Sequence, residues 1–241
     1  MGLLSHPGVL ALALPLGLTL AIAGLLRLAL GPERSGAALG LGVIAAHLLR
    51  SGLPHLPPAG VGDKLVYLLA AATLGGTLLE SRPRSAPWLV GGVMLAAVAW
   101  LAFGRWMQAR GGDYLMLLAV VGAAPVMLGA LSREADGARL LVVLLLAGAS
   151  LSLFAPAPDA GAIAAGAAAL LWWSLAGATP PRVAVLLAGG GGLVAVAANL
   201  ALQGSPPLIA LLVWLPVFLL PAWAAPIPAL LAPTVAWHLG G

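Results

Sequence analysis

The side chains able to do chemistry are few, and their densest cluster lies between residues 47 and 64. The stretch runs His47-Leu48-Leu49-Arg50-Ser51-Gly52-Leu53-Pro54-His55-Leu56-Pro57-Pro58, and Asp63-Lys64 follow shortly after. His47 and Arg50 are three apart, so a helix carries them on one face. Asp63 and Lys64 open the next apolar run, where Asp63 is placed to cap a helix N-terminus and to pair with Arg50 or His55 across the turn. Arg50 and Lys64 suit an anionic headgroup or solute. His47 lies about one helical turn deeper than Arg50, where a titratable imidazole can act as a base or move a proton. Ionisable groups inside an apolar run are costly and are functional by default. His47, Arg50, His55, Asp63 and Lys64 are therefore the candidate substrate-binding residues. A plainer reading stands beside this one: Arg50 can snorkel to an interface, Asp63 and Lys64 can end a helix in headgroup water, and His55 can be a loop bystander.

Absent residue types narrow the chemistry. No Asp or Glu lies in the middle of an apolar run, which argues against a proton- or sodium-coupled pump built on a buried carboxylate. No HExxH, repeated histidine box or paired-acid motif occurs, so metal-dependent hydrolysis and di-iron oxidation are not expected. The chain has no cysteine, which excludes disulfides, thiolate zinc sites and iron–sulfur ligation by its own residues. The remaining histidines, His6 and His238, lie near the termini. Ser150, Ser152, Asn199 and Gln203 are the kind of mild polar residue that bonds between helices. No catalytic residue, metal or cofactor is assigned.

The elements that must hold these groups are apolar helices. Only 7% of the 241 residues are charged and 62% are hydrophobic, with a mean hydropathy of +1.09. A soluble domain carries roughly a quarter charged residues, so the solvent expected for this chain is lipid. Ten apolar runs are long enough to be spans: 9–30, 36–53, 63–80, 88–107, 114–131, 138–155, 160–177, 183–203, 207–222 and 225–240. They are too long and too uniformly apolar for barrel strands, which alternate and cross in about ten residues. The last two are short and rich in proline and can be re-entrant, so the expected fold is an all-α integral membrane protein of eight to ten transmembrane helices. Residues 1–241 read as a single transmembrane domain with no soluble appendage. The N-terminus does not read as a cleavable signal, because Met1 to Gly8 contains no basic residue.

An internal repeat at an offset of about 100 residues is a further expectation. Glu33-Arg34-Ser35-Gly36-Ala37 recurs in kind as Glu134-Ala135-Asp136-Gly137-Ala138, and Pro57-Pro58 falls on Pro158-Asp159. Arg82-Pro83-Arg84 falls near Pro180-Pro181-Arg182, and Gly91-Gly92 near the run Gly189 to Gly192. The units would be 9–107 and 114–203, followed by a partial third unit over 207–240. Four helices per unit make this a parallel repeat plus two C-terminal helices; chance alignment of Ala/Leu/Gly-rich spans and an inverted five-plus-five arrangement are the alternatives. In the second unit the positions matching the polar cluster are Gly148, Leu151, Pro156, Ala164 and Ala165, so only the first unit keeps ionisable groups there.

Ten spans put Arg27, Arg34, Arg82, Arg84, Arg133, Arg139 and Arg182 on one side and Arg50, Lys64, Arg105 and Arg110 on the other. That excess favours periplasmic termini. The bias of Arg over Lys, with abundant Ala, Gly and Leu, suggests a GC-rich bacterial source and hence an inner-membrane location. The net charge of +4 comes from loop arginines and implies no nucleic-acid partner. Trp88, Trp106, Trp223 and Trp237 fall near span ends, where they can anchor to the interface, and Trp172-Trp173 sit deeper.

Three functions fit these features. The first is a small carrier or channel for a small anionic or amphipathic solute. The second is a non-catalytic membrane subunit or assembly factor, with a membrane protein or a second copy as partner. The third is a membrane-embedded enzyme on a lipid-linked substrate, with His47 as base. No motif is specific enough to name a family.

Overall fold

The computed structural model describes residues 7–58, 60–79, 163, 165–170 and 183–192, together with isolated positions at 96, 100, 145 and between 213 and 238. Among the described residues the chain is all helical, with no strand. Helix α1 (Pro7–Leu30) is followed by a 3-10 turn (Pro32–Ala37) that runs directly into α2 (Ala38–Ser51). Helix α3 (Val61–Leu79) comes next, and α4 (Val183–Val185) continues into a π-helical segment (Leu186–Gly190).

The first three expected spans, 9–30, 36–53 and 63–80, thus correspond to α1, α2 and α3. The expected spans from 88 onward lie outside the described residues for most of their length, and so do most of repeat unit 114–203 and the partial unit 207–240.

Glycine ends two of these helices. Gly31 (φ 86°) and Gly52 (φ 79°) sit in the left-handed region that a Cβ disfavours. Their amides close the last turns onto the carbonyls of Arg27 (3.1 Å) and Leu48 (3.0 Å). Helix α2 has 14 residues, about 21 Å of rise, and the preceding 3-10 turn adds about 12 Å.

Helix α1 is the one helix among the described residues long and apolar enough to cross a membrane, over Ala13–Leu30. Only 17% of that segment is buried within the protein, whereas the core helix of a soluble protein is mostly buried. Leu25 and Leu28 are 67% and 88% exposed. Helix α3, with 19 residues, carries Asp63 and Lys64 in its first turn and no charge beyond them.

The helices meet where side chains are smallest. A Cβ on Gly42 of α2 would stand 2.6 Å from the Thr19 Cα of α1. One on Gly40 would stand 3.0 Å from the Thr73 Cβ of α3. One on Gly76 of α3 would stand 3.0 Å from the Ala184 Cβ and N of α4. Such approach is how helices associate where no hydrophobic drive separates them from their surroundings. Gly166, in helical residues 165–170, closes on Val43 and Thr19 in the same way. Ala23, Ala38, Leu39, Leu170 and Ala184 form the buried core around these crossings. The Thr19 hydroxyl is fully buried there and has no hydrogen-bond partner among the described residues.

Candidate functional site

The connection 52–60 turns the chain between α2 and α3, and it makes the two helices antiparallel neighbours. It brings His47 and Arg50, in the last two turns of α2, beside Asp63 in the first turn of α3. Gly60 is the residue that starts α3, since the Lys64 amide bonds to its carbonyl at 3.2 Å. Asp63 therefore does not occupy the capping position expected of it. It lies three residues inside the helix, where its charge still complements the N-terminal end of the helix dipole, and its side chain reaches across the turn.

Two histidines meet that carboxylate. Asp63 Oδ2 is 3.3 Å from His55 Nδ1, which donates in the tautomer that makes this bond. Asp63 Oδ1 is 3.8 Å from His47 Nε2. The environments of the two rings differ sharply, with 8% of the His47 side chain exposed against 75% for His55, and Asp63 at 14% between them. The pairing of Asp63 with His55 follows the sequence expectation. Tyr67 was not anticipated: its hydroxyl lies 3.2 Å from the Pro54 carbonyl and 3.1 Å from the His55 carbonyl and donates to that pair. Tyr67 is four residues beyond Asp63, hence on the same face of α3, and this spacing was the available signal. Asp63 and Tyr67 together fix the proline-rich connection to the helix that follows it.

Lys64 belongs to another contact. Its Nζ donates to the Trp100 carbonyl at 3.3 Å and stands 5.9 Å from the Trp100 ring centroid, within cation–π range. The sequence alone gave no reason to join residues 36 positions apart. Among the described residues, no group of three or more His, Cys, Asp or Glu is arranged to hold a metal.

Beside the polar cluster lies a cleft between α1, α2 and α3, closed at its inner side by Ile163. Its cavity volume is about 30 Å³, within about 400 Å³ of empty space that includes open solvent. The antiparallel packing orders its walls in layers. Arg50, Gly62 and Leu10 stand at the connection end; Ala46, His47, Leu65, Val66 and Leu14 form the middle; Val43, Leu69, Pro15 and Ile163 form the floor. Only His47 and Arg50 among these are ionisable, Arg50 at the connection end and His47 about one turn further in, so the floor carries no charge. Asp63 is behind His47, outside the lining. Leu10 and Leu14 of α1 are 55% and 37% exposed, so the α1 edge of the cleft is apolar and accessible.

Of the five candidate residues, the structure thus gathers His47, His55 and Asp63 into one contact set, puts Arg50 and His47 in the cleft wall, and sends Lys64 to Trp100. Searches against protein-family models, curated proteins and solved structures return no match for this chain.

Proposed function

We propose that this chain is a multi-pass protein of a bacterial inner membrane that binds a small anionic or amphipathic solute in the α1–α2–α3 cleft and carries it. The observation behind this reading is the cleft itself: apolar on every side except at the end bearing His47 and Arg50. The membrane setting is supported by an apolar α1 that stays largely exposed and by helix contacts made at glycine. Helix α1 supplies Leu10, Leu14 and Pro15 to the cleft and packs Thr19 on α2, which favours an integral helix over a removable leader. Ten spans, the parallel repeat and periplasmic termini are part of the same proposal.

A second reading, a non-catalytic subunit, draws on one observation: the cavity volume of the cleft is only about 30 Å³, room for about two waters. Because the chain has no cysteine, a single substitution separates the two. Ala46→Cys, in the middle of the cleft, should react with a small water-soluble thiol reagent in reconstituted vesicles, from each side in turn if the protein is a carrier. A thiol that reacts from neither side, in a protein whose thermal unfolding is unchanged, would sink the carrier and favour the subunit.

A further inference from the structure

The shape of the cleft specifies its ligand more narrowly than its charge does. Its walls follow α2 from Val43 to Arg50 and α3 from Gly62 to Leu69, eight residues each and so seven steps of helical rise, about 10 Å of depth. Over that depth the lining changes from a guanidinium and an imidazole at one end to Val43, Leu69, Pro15 and Ile163 at the other. A carboxylate stands near the imidazole: Asp63 Oδ1 is 3.8 Å from His47 Nε2, and Asp63 is itself hydrogen-bonded by His55. The exposed edge of the cleft at Leu10 and Leu14 is apolar, so an alkyl chain can lie against it without leaving an apolar environment.

Resting on the proposed binding function, we infer that the cleft takes an amphiphile with a single short alkyl chain ending in a phosphate or carboxylate. The head sits against Arg50 and His47, and the chain lies between α1 and α3 over Val66 and Leu69. Arg50 provides the forked donor that matches such an anion. Asp63 acts through His47 as a positioning residue. A free alkyl phosphate and the headgroup end of an anionic membrane lipid share this chemistry.

The test is protection of Ala46→Cys from the thiol reagent, in nanodiscs of phosphatidylcholine, by octyl phosphate, octanol and inorganic phosphate. Octyl phosphate should protect at concentrations about tenfold to a hundredfold below the other two, the effect of adding one charge-assisted hydrogen bond or a buried chain. Arg50→Gln should remove most of the preference for octyl phosphate over octanol while leaving octanol protection in place. Adding phosphatidylglycerol to the discs identifies the source: loss of the octyl phosphate effect points to lipid as the natural occupant, and its persistence to a free solute, both consistent with the assignment. Equal protection by inorganic phosphate, or by octanol, overturns the amphiphile assignment while leaving an accessible site. Leu14→Cys, at the open side of the cleft, repeats the measurement should Ala46→Cys fold poorly. If neither thiol ever reacts, it is the binding function that fails.

Discussion

The two ends of α2 behave as different materials. At its beginning, Gly40 and Gly42 let α3 and α1 approach to backbone contact through Thr73 and Thr19. From Val43 to Arg50 the inward residues grow to Val, Ala, His and Arg, and there the cleft appears. One helix face thus closes at one end and opens at the other as its side chains lengthen. The closed end has apolar surroundings and, among the described residues, one hydroxyl without a hydrogen-bond partner. The open end gathers His47, Arg50, His55 and Asp63, and the Asp63 carboxylate joins the next helix to the connection through His55. Close packing and a polar site need opposite things from the same fourteen residues, and the sequence separates them along the axis.

The most damaging way to probe this contrast is at the closed end. Gly42→Val should lower stability by about 2–3 kcal/mol, the cost of overpacking a close contact, read as a lower Tm in detergent. Gly75→Ala is the matched control, since nothing lies within 4 Å of its Cβ position; it should be neutral or stabilising by up to about 1 kcal/mol. An unmoved Tm for Gly42→Val would mean that the two ends pack alike. At the open end, Asp63→Ala removes the carboxylate between His47 and His55 and should cost about 1–2 kcal/mol. It should also alter the reactivity of a thiol at position 46, whereas a purely structural change would shift only the Tm.

Thr19→Val reverses the expected sign. The hydroxyl is buried without a partner among the described residues, so an apolar group of the same shape should raise stability by about 1 kcal/mol. A fall of that size would show that the hydroxyl has a partner and that the closed end is less dry than described. Tyr67→Phe is the mildest change, about 0.5–1 kcal/mol for its shared hydrogen bond. Its signature should be local: faster amide exchange over 52–58, with the rest of the three helices unchanged.

Much of this region was legible in the sequence. The apolar runs 9–30, 36–53 and 63–80 match α1, α2 and α3 closely because length and hydropathy determine them. The 3-10 turn over Pro32–Ala37 was not, since Glu33, Arg34 and Ser35 read as a polar gap between spans. The meeting of His55 with Asp63 followed from the short connection. The cleft did not, because it depends on how Leu10 and Leu14 of α1 stand against α3, a register that hydropathy leaves open. Trp100 against Lys64 was hidden for the same reason, being a contact between residues far apart in the chain. Tyr67 was visible in principle, four positions from Asp63, but an aromatic in an apolar run reads first as packing.

The π-helical segment Leu186–Gly190 has a consequence for how this chain can change. A π turn amounts to one residue more than an α-helix would hold there, and residues after it point about 100° away from where a plain helix would aim them. Ala184 before it rests on Gly76, while Gly192 after it meets Ile163, so with every residue present the two docking faces stay in phase only while the bulge absorbs that surplus. Removing a single glycine from Gly189 to Gly192 would cancel the surplus and let the segment relax to a plain α-helix with both faces still in place, whereas straightening the bulge with all its residues kept would turn the second face away from its neighbour. Substitution among those glycines and deletion of one are therefore different experiments: the first tests crowding, the second tests phase.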